Sequence, residues 1–170
     1  MKILAHIGNF EIIKNFSETL KQMCIGEINQ NYDRYNMISI EEYIEKSKNK
    51  TAYLFETALL SSVILCNKNY DLKKVSDFGL NFGIAFQIRD DLLNILKTDS
   101  SKPSYNDIDE GIYNAPVIYA QGTQDLYKGV EKTRILLNNY VNNAIEALNI
   151  LPNNEYKTAL KIISELLNNE

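Results

Sequence analysis

One stretch constrains this chain more than any other. From about Leu72 to Lys97 the sequence carries apolar side chains on most faces of a helix and no proline. A helix that is apolar nearly all round has to be enclosed by other elements, so it forms the centre of the fold. The flanking sequence supplies the enclosure. Ile12, Ile13, Phe16, Leu20, Met23 and Cys24 recur at helical spacing, which predicts a helix from about Glu11 to Cys24. Gly26 and the polar run Ile28–Met37 predict a break and a loop. Ser39 followed by Glu41 and Glu42 reads as a helix start. It opens one long helix over Ile40–Cys66, bent near Ser47–Lys50, with Asn67–Tyr70 as a polar turn. Thr98–Gly111, with Pro103, reads as a loop. Ala115–Ala120 is a short apolar helix with Pro116 in its first turn. Two amphipathic helices follow, over Gln124–Leu148 and Asn154–Leu167, parted by Pro152. With 3 Pro and 7 Gly the chain lacks the punctuation of a turn-rich β fold. The expectation is all-α, about six helices, in a single domain over residues 1–170.

Composition removes several function classes. The chain has 170 residues, 18 Lys plus Arg against 22 Asp plus Glu, and a net charge of −4. No basic stripe stands out, so a nucleic-acid partner is not expected. A hydrophobic share of 45% excludes a disordered tail. The most apolar run, Ala52–Cys66, is interrupted by Glu56, Thr57, Ser61 and Ser62, so no membrane span is expected. The N-terminus reads as no export signal. Cys24 and Cys66 sit in apolar stretches without metal spacing, the pattern of buried, reduced thiols in a cytoplasmic protein. His6 is the only histidine, which leaves little basis for a histidine metal site or a Ser-His triad.

The chemistry lies in the central helix, at Gln87-Ile-Arg-Asp90-Asp91-Leu-Leu-Asn94. Gly83, Gln87, Asp90, Asp91 and Asn94 fall within one stripe roughly 100° wide on a helical wheel. Two neighbouring carboxylates about 5 Å apart repel by roughly 3 kcal/mol at an effective dielectric near 20. A hard divalent ion removes that repulsion, and Mg²⁺ typically takes one or two carboxylates with phosphate oxygens and water. Gly83, one turn earlier, leaves room for a ligand. The plainer alternative is that Asp90 and Asp91 face solvent or pair with lysines and arginines.

The segments around the pair narrow the choice. FQIRDDLLN, Lys102-Pro103, Asp107-Ile108, Glu110-Gly111 and Ala115-Pro116-Val117-Ile118-Tyr119-Ala120 together resemble the trans-type polyprenyl (isoprenyl) diphosphate synthases. Upstream, Gly26-Glu27 with Gln30 is similar to that family's GE-x-x-Q segment, and Lys50-Thr51-Ala52-Tyr53-Leu54-Phe55 to its K-T-x-x-L-F. The resemblance runs from about Phe16 to Ala120. It implies part of an isoprenoid-synthase-type helical bundle, the C-terminal half, without the half that carries the first aspartate-rich motif. It implies prenyl transfer, in which an allylic diphosphate ionises, isopentenyl diphosphate attacks, and a proton leaves. Mg²⁺ is the implied cofactor. Lys50, Asp90 and Asp91 become the catalytic set, with Asp90, Asp91 and Asn94 as metal ligands. Lys50, Thr51, Gln87 and Lys102 become the diphosphate-binding side chains, and Asp107 stands behind the metal ligands. Phe55 and Phe86 are expected to pack.

The sequence departs from the family pattern at two of these positions. Asn94 stands where the third aspartate of DD-x-x-D falls, one charge fewer. Gly111-Ile112-Tyr113-Asn114 replaces Gly-Lys-x-Thr, so Ile112 takes the place of a diphosphate lysine. Three functions stay open: the C-terminal half of a synthase, needing a complementary half for activity; a non-catalytic small subunit of a heteromeric synthase; and a helical interaction module. Half a barrel would leave the central helix with an uncovered apolar face, so a homodimer or a hetero-oligomer with a synthase chain is expected.

Overall fold

The computed structural model describes residues 2–66, 69–96, 106–122 and 125–169. Among them the regular structure is helical: α1 (Lys2–Ile7), α2 (Phe10–Tyr32), α3 (Ile40–Ser47), α4 (Tyr53–Cys66), α5 (Leu72–Leu96), α6 (Asn106–Asp109), α7 (Ala115–Ala120), α8 (Leu126–Ala147) and α9 (Glu155–Glu165). The all-α expectation holds. None of the described helices is long and apolar enough to cross a membrane.

The central position of α5 follows from its composition. It packs most extensively on α8 and α4, with α7 and α3 closing further sides. Ile84, Ala85, Ile88 and Leu92 are buried there with Val117, Val130, Leu137 and Val141. A second cluster joins Phe78 to Ala144, Ala147 and Leu148. Ser39 starts α3 with a reciprocal cap: its hydroxyl accepts from the Glu42 N–H, and the Glu42 carboxylate accepts from the Ser39 N–H, satisfying two orphan donors of the first turn.

The bend expected near Ser47–Lys50 is a π-helical segment, Lys48–Ala52, joining α3 to α4. Its wide turn ends with the Tyr53 N–H donating to the Lys48 carbonyl. Such turns occur mostly as single insertions in α-helices, often at functional sites. Gly83 is what allows this one to lie against α5. A Cβ there would stand 2.5 Å from the Ala52 Cα. The space expected for a ligand beside Gly83 is therefore taken by backbone. Gly26 corrects a second expectation. Instead of ending a helix it lies inside α2, which runs on to Tyr32, because the missing side chain lets Asn49 approach; a Cβ would meet the Asn49 Cβ at 2.8 Å.

Where apolar surface remains open also differs from expectation. Helix α5 is largely covered, with Phe86 and Leu72 its exposed large apolar side chains. The open surface lies on α2 and α4, at Phe10, Leu20, Ile25, Ile28, Leu54 and Leu65. Helix α4 carries apolar side chains on most of its faces, yet Leu54, Leu65 and Cys66 on it are exposed. Cys24 and Cys66 are both exposed rather than buried, because they sit on these outward faces. Phe55 packs against Phe82 and Phe86, with ring centroids 5.2 Å and 5.6 Å apart, so both expected packing residues pack on each other.

Candidate active site

The π segment and α5 bring polar side chains from distant parts of the sequence to one place. The Thr51 hydroxyl donates to Gln87 Oε1 at 2.6 Å. The Gln87 amide in turn donates through Nε2 to Asp91 Oδ1 at 2.9 Å. Gln87 and Asp91 are one turn apart on α5, so they meet on one face. The other oxygen of Asp91, Oδ2, accepts from the Tyr43 hydroxyl of α3 at 2.6 Å. Tyr43 lies two turns before Lys50 on the same helical run. The result is a relay of four side chains, fixed at each link by a donor and an acceptor.

Asp91 is 8% exposed. Burial pushes its carboxyl up to about 6, against the opposing pull of the Tyr43 and Gln87 hydrogen bonds and of the Lys50 ammonium. Burial first, and then the Asp91 charge, push the Tyr43 phenol well above its ordinary value. Tyr43 therefore stays a proton donor to Asp91 at any physiological pH.

Asp91, Gln87, Tyr43 and Ser47 line a small cavity of about 70 Å³ with Lys46 and Lys50. Gln30, Ile112, Tyr113 and Asn114 complete its lining. The two lysines differ. Lys46 pairs with Asp33 at 3.6 Å. Lys50 Nζ meets the neutral Gln30 Oε1 at 3.5 Å, and no carboxylate among the described residues is in ion-pair range of it. The cavity thus holds a lysine with unspent charge facing a carboxylate that is costly to ionise.

The structure brings together Lys50, Thr51, Gln87 and Asp91. It leaves Asp90 and Asn94 at exposed positions on α5, because consecutive helical residues are rotated by about 100° and only one of an adjacent pair faces a given neighbour. Lys102 lies outside the described residues, as does the Asp107 side chain. Tyr43, Ser47 and Asn114 are additions that the motifs did not single out. Asn114 stood inside the altered Gly-Ile-Tyr-Asn segment.

A magnesium ion is tested by the donor set. Asp91 offers hard oxygens, each accepting one hydrogen bond from protein and so keeping a free lone pair. Asp90 adjoins it in sequence. No group of three or more acidic, His or Cys residues able to hold a metal occurs among the described residues. Mg²⁺ usually takes one or two carboxylates with phosphate oxygens and water, and the Asp91 oxygens fit such a donor set.

Known proteins resemble this chain in sequence and in fold. The family model described as polyprenyl synthetase matches residues 1–152. A prenyl transferase of Cyanidium caldarium is 36% identical over 134 residues, which cover 76% of this chain and 42% of that protein. Solanesyl diphosphate synthase 1 of Arabidopsis thaliana is 30% identical over 149 residues, covering 85% of this chain and 37% of its own. A polyprenyl synthase from Caulobacter crescentus, solved in complex with calcium and isoprenyl diphosphate, superimposes with a TM-score of 0.88 at 20% identity, over 99% of this chain and 62% of that one. That likeness shows a shared fold. The chain spans less than half the length of these two sequence relatives. By family match and by sequence, the chain belongs to the polyprenyl synthetase family.

Proposed function

We propose that this chain supplies one wall of a prenyl-elongating active site, the wall that grips the diphosphate of an allylic substrate. The observation that carries the proposal is the convergence of Lys50, Gln87 and Asp91 on one cavity, with Thr51 hydrogen-bonded to Gln87 behind it and Lys50 free of any carboxylate within ion-pair range among the described residues. The resemblance assigns diphosphate contacts to Lys50, Thr51 and Gln87, and a metal to Asp91. In the proposed reaction the allylic C–O bond breaks and its electron pair leaves with the diphosphate. The double bond of isopentenyl diphosphate then forms the new C–C bond, and a proton is lost to restore an alkene.

The side chains have separable tasks. Lys50 binds diphosphate oxygens as a point charge. Thr51 orients Gln87, and Gln87 orients Asp91. Tyr43 holds the second Asp91 oxygen and stays protonated. Asp91 and Asp90, with the Asn94 carbonyl, would hold Mg²⁺, which when bound draws charge off the leaving diphosphate. The resemblance adds Lys102 as a further diphosphate ligand and Asp107 as a residue behind the metal ligands.

The opposite wall, with the metal ligands that the resemblance places there, would be formed by an N-terminal half, on the same polypeptide or on another. The open apolar faces of α2 and α4 support such a partner, in a homodimer or in a hetero-oligomer with a synthase chain. The test is turnover: the chain alone, and with a complementary half, incubated with Mg²⁺, labelled isopentenyl diphosphate and a short allylic diphosphate. Chain-lengthened product in the reconstituted mixture only is the expected result. No product with any complementary half contradicts it.

A second reading has one observation in its favour. Ile112 borders the cavity where the resemblance calls for a lysine. In that reading the chain is a non-catalytic small subunit that shapes a synthase. Replacing Asp90 and Asp91 by Ala in the reconstituted complex separates the two. Unchanged turnover favours the small subunit, and lost turnover favours the catalytic wall.

A further inference from the structure

Asn114 is the one described residue whose buried side chain has neither of its polar atoms satisfied: both Nδ2 and Oδ1 lack a hydrogen-bond partner. It is 4% exposed. A carboxamide so placed costs free energy in the ligand-free protein, and such groups call for a specific explanation.

The usual explanation does not apply. Asn114 is the N-cap of α7, where an asparagine oxygen ordinarily accepts from the second or third helical N–H. Here the side chain makes no capping bond. The second helical residue is Pro116, which has no N–H to give. The amide is thus released from the helix it begins, and it stands at the cavity shared by Lys50, Gln87 and Asp91. Its backbone is held firmly all the same. The Asn114 carbonyl accepts from the Ile118 N–H at 3.0 Å, and upstream the Gly111 carbonyl accepts from the Tyr35 N–H at 2.8 Å.

We propose that the Asn114 carboxamide is a diphosphate ligand, donating Nδ2–H to a phosphate oxygen of the anion bound at Lys50. This rests on the diphosphate reading given above and extends it to a residue of the segment that departs from the family pattern. The carboxamide carries two N–H donors and one acceptor. Phosphate oxygens accept from the donors, and water of the hydrated anion donates to Oδ1. The assignment also accounts for Ile112. Where the family pattern has a lysine, this chain has an apolar side chain, and a neutral donor two residues on supplies a hydrogen bond to the same anion.

The test is calorimetric titration of inorganic pyrophosphate, with Mg²⁺, into the full 170-residue chain, its Asn114→Leu and Asn114→Asp variants, and Lys50→Gln. Asn114→Leu keeps the branched heavy-atom skeleton and removes both polar atoms. Affinity is expected to fall about tenfold or more in Asn114→Leu, and at least as far in Asn114→Asp, which loses the donors and adds like charge. Without pyrophosphate, the melting temperature of Asn114→Leu is expected to equal or exceed that of the parent, because a buried unsatisfied amide is gone. A lower melting temperature, or failure to fold, means the amide already serves the protein and overturns the proposal. So does pyrophosphate affinity within twofold of the parent while Lys50→Gln loses it; that result leaves the diphosphate reading standing. No pyrophosphate binding by the parent chain overturns both.

Discussion

Replacing Asp91 by Asn isolates the most expensive group in the site. Burial holds the Asp91 carboxyl at about 6 instead of 3.8. At about 1.4 kcal/mol for each pH unit, keeping that carboxyl ionised costs the folded chain about 3 kcal/mol. The sign is fixed by which state binds the proton. Below about pH 4 the carboxyl is protonated in both the folded and the unfolded chain, and there is no cost. Between pH 4 and pH 6 the unfolded chain gives up its proton and the folded chain keeps it. Stability from this group is therefore lost as pH rises through about 6, and the loss is complete above it. Other carboxylates add their own slopes, so the difference between two chains is the useful quantity. Asp91→Asn keeps the shape and has no charge to bury; its one oxygen accepts from Tyr43 while its Nδ2 meets the Gln87 amide, a loss independent of pH that shifts the difference without changing its slope. From pH 4 to pH 7.5 the stability difference, measured by urea unfolding, should move by about 3 kcal/mol in favour of the variant. The same variant should lose Mg²⁺-dependent pyrophosphate binding. A stability difference that stays flat with pH would refute the claim that Asp91 is held ionised at a cost.

Three further perturbations probe neighbouring links. Tyr43→Phe removes the donor to Asp91 Oδ2; unfolding free energy should fall by about 1.5–3 kcal/mol at pH 7.5 and by less at pH 4.5, and an equal loss at both counts against an ionised Asp91. Gly83→Ala places a Cβ 2.5 Å from the Ala52 Cα, and an overpacking cost of about 1–3 kcal/mol should outweigh the helix-propensity gain of up to about 1 kcal/mol; a more stable variant in urea would show that the π segment yields freely. Ile112→Lys adds a cation at the cavity wall, so pyrophosphate should bind about tenfold tighter in calorimetry, and the gain should shrink with added salt; an unchanged affinity would place the anion elsewhere.

The fold was legible where periodicity and apolar content agree. Helix α5 announced itself as central because no other arrangement hides apolar side chains on so many faces, and α8, α4 and α7 do enclose it. Glycine was the least legible residue. Gly26 and Gly83 read as a break and as open space, and both are instead points where two helices touch through missing side chains. Nothing local in the sequence distinguishes a glycine that ends a helix from one that admits a neighbour. The thiols misled for a related reason: an apolar stretch implies burial only when something covers it, and the described elements leave the outer faces of α2 and α4 open. In the site, motif spacing pointed to Lys50, Thr51, Gln87 and Asp91. It pointed neither to Tyr43, whose role depends on a contact 48 positions away, nor to Asn114, whose significance lies in the partner it lacks.

The account rests on magnesium-associated diphosphate binding between the π segment and α5. A crystal structure of this chain grown with Mg²⁺ and pyrophosphate addresses it without any partner or turnover. The expected density is a diphosphate touching Lys50 Nζ, with Asp91 turned toward a cation beside it. Pyrophosphate bound only at a distant surface, or a cavity in which the Lys50 ammonium simply closes onto the Asp91 carboxylate, would contradict the account.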